Sequence, residues 1–470
     1  MAEKRFEQPG QVWPETVALT VTSAALGLAI AELAAAHPPW AAAAMVGLVI
    51  ATSAIFARVL GWTVGVTVLL VVTSLIDRDT FPVHGVNIRP EQIAGLLALL
   101  VFAALKLRSS RDLVRQMPDR IEVALLIWFA VALVSSLLAA PNRSDSLKVL
   151  ALLMLSSLAL FLPRRLVTDR HEELHQVVRW TLLALAIESG YAFAAYVLHL
   201  VGLDISVSLN SASGHLNAYG TLWEPNVLGA VAGAGALAWV FLGTRHFKQA
   251  WVGVALCLTA CVASFARAAW IAVIIVIVLA VATPIRRRID LRTLGLGGLV
   301  ATLSAAWIFV SDSFGHYTLG TAGVSSSVGN STDLLGRFYQ FAPALSDLRH
   351  RPILGGGVNS FGQRHILAGL PEHLGNLELL IVNDTGLLGL LVFAVFVAAI
   401  VVTARRRRSD VTVLGFAGMT LVIAITNQAT ETLELMITWL ILGLLLAAFD
   451  AASATVSSPA TAGTARDTGS

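Results

Sequence analysis

A fixed positive charge where two apolar runs meet is the sharpest chemical signal in this sequence. Arg267 lies in ASFARAAWIAV (263–273), with almost no loop between the runs. Charge at membrane depth is costly, so it marks either a functional group or an arginine that snorkels to the interface. A guanidinium grips a phosphate in a bidentate, permanently charged way that lysine does not reproduce. Arg267 is therefore a candidate for binding a phosphorylated ligand in a cavity. Arg337 lies in LLGRFYQFAPALSDL (334–348), whose pattern predicts an amphipathic helix. Folded over Arg267, that helix would let Arg337 complete a clamp for a diphosphate. Arg349 and Arg351 flank the turn that follows, where they meet either the ligand or lipid headgroups. The run Gly355-Gly356-Gly357 supplies tight turns, and its N–H groups offer a cradle for an anion.

Other residue types suit supporting roles. His373 is a candidate general base near neutral pH, or else a solvated loop histidine. Asn376 and Asp384 follow it, and Glu378 and Asp384 are placed to pair with arginines. Glu224-Pro225-Asn226 opens another apolar run; proline suits a first helical position, and Asn226 is a candidate substrate contact. Arg89 and Glu91 open a further run, where Arg89 would meet a lipid phosphate. Glu188 lies within a run and is the carboxylate a proton-coupled transporter would use. Glu431 and Glu434 flank the last turn and read as interfacial. Cys257 and Cys261 read as small apolar side chains of a membrane helix. The sequence has no CxxC, HExxH or Walker A motif, and neither a metal nor a cofactor is expected.

The elements that must position these residues are membrane helices. The chain of 470 residues is 56% hydrophobic and 13% charged, with a mean hydropathy of +0.77. A soluble domain carries about a quarter charged residues. Runs long enough to approach the roughly 20 residues of a spanning helix fall at 16–36, 40–57, 61–76, 91–107, 121–140, 147–162, 180–202, 225–243, 249–264, 267–284, 294–311, 376–403, 411–427 and 433–450. The expected fold is all-α: a polytopic transmembrane helical bundle of about 14 helices with both ends cytoplasmic. With that topology, 23 of the 32 lysines and arginines lie inside and nine outside, as the positive-inside rule requires. Arg267, Arg337 and His373 then share the outer face.

The expected organisation is a bundle over 1–311, a long outer-face loop with a helical cap over 312–375, further spanning helices over 376–450, and a polar, disordered cytoplasmic tail over 451–470. The N-terminus shows no removable signal peptide, so the first apolar run is expected to act as an uncleaved anchor. The stretch 164–179 reads as a charged interfacial helix. Gly229 and Gly233 read as a small-xxx-small packing pair.

These residues resemble the O-antigen ligase and polymerase family of bacterial surface-glycan assembly. SFARAAWIAVIIVIVLA (264–280) is similar to the family's Ser-Arg-(small)-x-x-Trp opening of a membrane helix. LLGRFYQFAPALSDLRHRPILGGGVNSFG (334–362) is similar to its Arg-containing helix and the Pro-(apolar)-(apolar)-Gly-x-Gly turn after it. HLGNLELLIVNDTGLLGLL (373–391) resembles its His-Asn-x-x-Leu…Glu-x-Gly-Leu-(apolar)-Gly helix start, and WEPNVLGA (223–230) its Pro-Asn stretch. The family's histidine directly precedes the asparagine; here Gly375 takes that place and His373 stands two residues earlier. Asp384 stands where the family commonly has Glu.

The resemblance implies a glycosyltransferase of the cell (inner or plasma) membrane, multi-pass, working without a metal at its periplasmic or extracellular face. The donor would be a glycan on a polyprenyl diphosphate. The acceptor would be a sugar hydroxyl on another glycan or lipid, and membrane lipid, not nucleic acid, would be the other partner. It implies catalytic roles for Arg267, Arg337 and His373, and substrate contacts from Arg89, Asn226, Arg351, Asn376 and Asp384. A multi-helix transporter or lipid-linked glycan flippase is the alternative. It would place charges near the midplane and show inverted repeats, whereas the charges here gather at the outer end.

Overall fold

The computed structural model describes residues 60–76, 81–83, 86–108, 118–167, 171–200, 203, 209–210, 216–222, 224–311, 334–365 and 374–457. The expected spans 16–36 and 40–57, His373, and the end of the tail lie outside them. The chain is a polytopic helical membrane protein. In order its helices are α1 (Trp62–Ser74), α2 (Pro90–Arg108), α3 (Arg120–Ala139), α4 (Arg143–Val167) and α5 (His171–Leu200). Next come α6 (Pro225–His246), α7 (Ala250–Ala263), α8 (Arg267–Ala282) and α9 (Leu291–Ser311). The last are α10 (Leu334–His350), α11 (Ser360–His365), α12 (Leu377–Arg406), α13 (Val411–Thr426) and α14 (Met436–Ser457). Two short antiparallel pairs interrupt the helices, β1 (Phe81–Val83) with β2 (Val86–Ile88) and β3 (Leu209–Asn210) with β4 (Asn217–Ala218). Among the described residues, seven helices are long and apolar enough to cross a membrane, and five shorter apolar helices accompany them.

Side-chain size decides which helices sit at the centre. α6 begins PNVLGAVAGAGALA and is 94% buried over its most apolar window, because glycine and alanine let neighbouring backbones approach closely. A Cβ on Gly229 would meet Ala266 and Ser264, and one on Gly233 would meet Val273 at 2.7 Å. α6 therefore lies directly against the turn that carries Arg267. α14 is also central, packing on α4 and α13. α8 instead turns Ile271, Ile274, Ile275, Val278 and Leu279 outward at helical spacing, a stripe that suits lipid.

Contacts gather one set of helix ends around Arg267, here the Arg267 end. Gly229 of α6 abuts Ala266, Leu377 N donates to Asn427 O, and Arg89 lies 3.9 Å from Glu434. The opposite end is fastened by an ion network. Asp119 and Glu122 form a reciprocal capping box at the start of α3. Arg165 grips Glu122 through two nitrogens at 2.6 and 2.8 Å. Arg164 reaches Asp450 of α14 at 2.6 Å and Asp119 at 2.8 Å.

That network corrects the expectation of a separate interfacial helix over 164–179. Its arginines end α4, and the residues from His171 onward begin α5. The basic pair is held by carboxylates from α3 and α14, so it closes a helix junction instead of lying on the membrane surface. Glu122 is 1% exposed, and losing one partner of a buried pair costs about 3–5 kcal/mol. Arg165→Met is therefore expected to lower stability by about 3 kcal/mol, read as a fall in Tm in detergent.

Candidate active site

The placement of Arg267 follows from how α7 stops and α8 starts. Ser264 ends α7, where its hydroxyl donates to Cys261 O at 2.7 Å and accepts from Ala266 N at 3.3 Å. Trp270 Nε1 donates to the same Cys261 carbonyl at 2.7 Å. Phe265 turns the chain with a left-handed φ of 53°. The spacing of Ser264, Arg267 and Trp270 thus has a mechanical basis: serine and tryptophan clamp one carbonyl while the arginine opens the next helix. No side chain caps the N-terminus of α8. Arg267 is exposed and has no ion pair or side-chain hydrogen bond among the described residues. Exposed amides and a guanidinium together make a site that favours an anion.

A second construction lies beside this end of the bundle. Within α12, Gly386 has φ 67° and ψ −170°, so the helical ladder breaks there. The turn after α10 is inserted into the break. Gly356 N donates to Asn383 O at 2.7 Å and Gly357 N to Asp384 O at 2.9 Å, while Leu387 N and Leu388 N donate to Pro352 O and Ile353 O. Those two carbonyls and two amides would be partners of each other in an unbroken helix. Ser135 of α3 fastens the joint by donating to Asp384 O at 2.7 Å and to Leu354 O. The glycine amides are therefore engaged with backbone carbonyls, including Gly355 N on Arg351 O at 3.0 Å. This corrects their reading as an anion cradle.

α10 is tied to the same joint. Asp347 receives Arg364 at 3.1 Å and His365 at 2.9 Å, and Asn383 Nδ2 donates to it at 3.4 Å. Arg364 also donates to Ser360 and Asn383. Burial holds its guanidinium below its ordinary pKa despite Asp347. A small apolar cluster of Ala344, Phe361 and Leu374 lies under α10.

Next to the joint is a cleft of about 460 Å³, lined among others by Trp128, Leu153, Asn359, Asp384, Glu431 and Glu434. Asp384 Oδ2 accepts from Asn359 N at 3.2 Å. Glu431 is set by the turn between α13 and α14, where Thr432 N donates to Asn427 Oδ1 at 2.8 Å and Trp439 Nε1 to Leu433 O at 2.6 Å. Burial, and then the charge of Glu434, raise the Glu431 pKa well above the ordinary carboxylate range. A carboxyl whose pKa is raised by folding favours the folded state while protonated, and that stability is lost as pH rises above its unfolded value. Glu431→Gln is therefore expected to melt increasingly above wild type as pH is raised from 4.5, read as the Tm difference across a pH series.

The residues singled out from sequence are placed as follows. Arg337 lies on α10, with its side chain outside the described residues. His373 lies outside them altogether. Asn376 caps α12 by accepting from Leu379 N at 3.0 Å and donates to Gln428 at 2.9 Å. Asn226 donates to Glu224 at 2.6 Å, and Arg351 donates to Ala139 O. Arg89 and Asp384 are brought to the cleft region, Arg89 through Glu434. Trp128 and Glu431 were not among the sequence candidates. Trp128 sits in an unbroken apolar run, and Glu431 is one of two carboxylates in a short turn, so neither pattern separates a cleft residue from a bundle residue.

No curated protein matches the chain. Residues 252–394 match the family model described as O-antigen ligase. The matched stretch includes the Arg267 turn, α10 and the joint in α12, and on that match the chain is assigned to the O-antigen ligase/polymerase family, a family of glycan-transferring membrane enzymes.

Proposed function

We propose that the protein transfers a glycan from a polyprenyl diphosphate to a sugar hydroxyl at the outer membrane face, without a metal. The observation that carries this reading is Arg267, exposed at the uncapped start of α8. In the reaction the acceptor oxygen attacks the anomeric carbon. The bond from that carbon to the diphosphate breaks, and its electron pair stays on the diphosphate. The proton leaves the hydroxyl for His373. Arg267 and Arg337 stabilise the charge that grows on the leaving diphosphate, where fixed donors are most effective. Arg89, Asn226, Arg351, Asn376 and Asp384 hold the substrates around it.

The contacts of Glu188 weigh against transport. A proton-coupled carrier needs an intramembrane carboxylate free to change partners. Glu188 accepts from Thr221 N at 2.8 Å and from its hydroxyl at 2.7 Å, and that hydroxyl also donates to Leu75 O. It anchors a loop, and Glu188→Gln is expected to leave the transfer rate unchanged in the assay below.

The test is a purified protein incubated with a synthetic polyprenyl-diphosphate oligosaccharide in EDTA. Release of polyprenyl diphosphate together with a lengthened or transferred glycan is the expected result. No turnover across a panel of donors, with solute or lipid movement in proteoliposomes, would move the reading to a transporter.

A further inference from the structure

The cleft beside the joint carries polar atoms that suit a ligand other than the diphosphate. Three of them have no hydrogen-bond partner among the described residues: Trp128 Nε1, Asp384 Oδ1 and Glu431 Oε1. Trp128 is 3% exposed and Asp384 7% exposed, so bulk water does not satisfy them. Leaving such groups unpaired is costly, and native proteins rarely do so without a reason. The indole nitrogen only donates, and the ionised carboxylates only accept.

The ligand that completes this set must accept one hydrogen bond and donate two. A phosphate offers acceptors alone and would face Asp384, Glu431 and Glu434 together. A hydrocarbon tail offers neither. A metal ion would be opposed by the indole N–H, and among the described residues no three carboxylate, imidazole or thiolate groups come close enough to cage one. A hydroxyl both donates and accepts, and a ring bearing several satisfies the whole set. Apolar walls from Leu153, Leu380 and Leu433 suit the C–H faces of such a ring, and the volume lies within the usual range of small-molecule sites. Glu434 at the same cleft is engaged by Arg89.

We infer that this cleft is a subsite for an uncharged sugar ring, whose hydroxyls donate to Asp384 and Glu431 and accept from Trp128 Nε1. The inference rests on the glycan-transfer reading, in which the ring belongs to the donor glycan or to the acceptor.

The test combines binding with turnover on the full chain in nanodiscs. Saturation-transfer NMR would use free lactose, maltose and chitobiose, with an N-acetylglucosamine–glucuronic acid disaccharide as the anionic comparison. The variants are Trp128→Phe, which keeps an aromatic ring and removes the donor, and Glu431→Gln, which keeps the shape and removes the charge. At least one neutral disaccharide should bind wild type more tightly than the anionic one. Its affinity should fall about fivefold or more in Trp128→Phe and about tenfold or more in Glu431→Gln, with Tm retained in both. In the transfer assay the loss should appear mainly in KM. A rise in the donor's KM assigns the ring to the donor, and a rise in the acceptor's KM assigns it to the acceptor.

Absence of binding by every neutral disaccharide overturns the subsite, as does equal binding by wild type and both variants. Wild type that transfers glycan while both variants keep its KM values overturns the subsite alone. Wild type that binds neutral sugars through Trp128 and Glu431 but transfers no glycan supports the subsite and overturns the transfer reading.

Discussion

Arg267→Ala should lower kcat for glycan transfer by about 10²–10³-fold, the usual cost of removing one preorganised donor from developing negative charge. The donor KM should change much less, because the charge on the leaving diphosphate grows mainly as the glycosidic bond breaks. Arg267→Lys should recover only part of the loss, since an ammonium keeps the charge but not the two-pronged geometry. Neither variant should unfold the protein: the side chain is exposed and makes no ion pair among the described residues. Release of polyprenyl diphosphate, followed beside a melting curve, separates the two effects. An alanine variant that keeps its full kcat would remove Arg267 from the chemistry.

Gly386→Ala should cause the largest loss of stability of any single methyl added to the bundle. The backbone at Gly386, φ 67° and ψ −170°, belongs to a region essentially reserved for glycine, and strain of this kind costs about 1–3 kcal/mol. A Cβ there would also run into the carbonyl of Ile353, which is backbone and is itself accepting from Leu388 N. The collision can be relieved only by parting the turn from α12, with loss of the four hydrogen bonds between them. A total of about 4 kcal/mol or more is expected, enough to prevent recovery of folded protein. Gly298→Ala is the comparison. It adds the same methyl within α9, where nothing lies within 4 Å of the new atom, and alanine is the better helix former by about 1 kcal/mol. Equal melting temperatures for the two variants would mean that the turn does not brace the helix.

The helices were legible because lipid imposes a simple rule. A run at 61–76 becomes a helix at Trp62–Ser74, one at 121–140 becomes Arg120–Ala139, and one at 411–427 becomes Val411–Thr426. The amphipathic pattern of 334–348 becomes α10. Hydropathy does not show where a helix interrupts itself. Gly386 lies in NDTGLLGLL, and Gly389 three residues later has an ordinary helical conformation in the same string. What distinguishes Gly386 is a partner thirty residues away, and local pattern carries no record of it. The Arg267 turn was legible in residue type, but the clamp on Cys261 depends on Trp270 folding back over the preceding helix. The cleft was least legible. It forms where α3, α4, α12 and the turn before α14 meet, and each contributes residues that alone look like ordinary bundle residues.

The inserted turn also constrains how the protein is made. A helix entering lipid normally satisfies its own backbone, which is why hydrophobic segments can be handed to the bilayer one at a time. α12 does not: the carbonyls of Asn383 and Asp384 and the amides of Leu387 and Leu388 are completed by residues 352–357. Those residues leave the ribosome before α12 does, so they are available in time, but only if they stay close to it. Segment 352–357 and α12 are thus expected to enter the membrane as one unit, with Ser135 of the already inserted α3 waiting to receive the pair. Biogenesis would then tolerate a cut or a long insertion between α9 and α10 far better than one between α11 and α12, because only the second lets the helix arrive without the strand that finishes it.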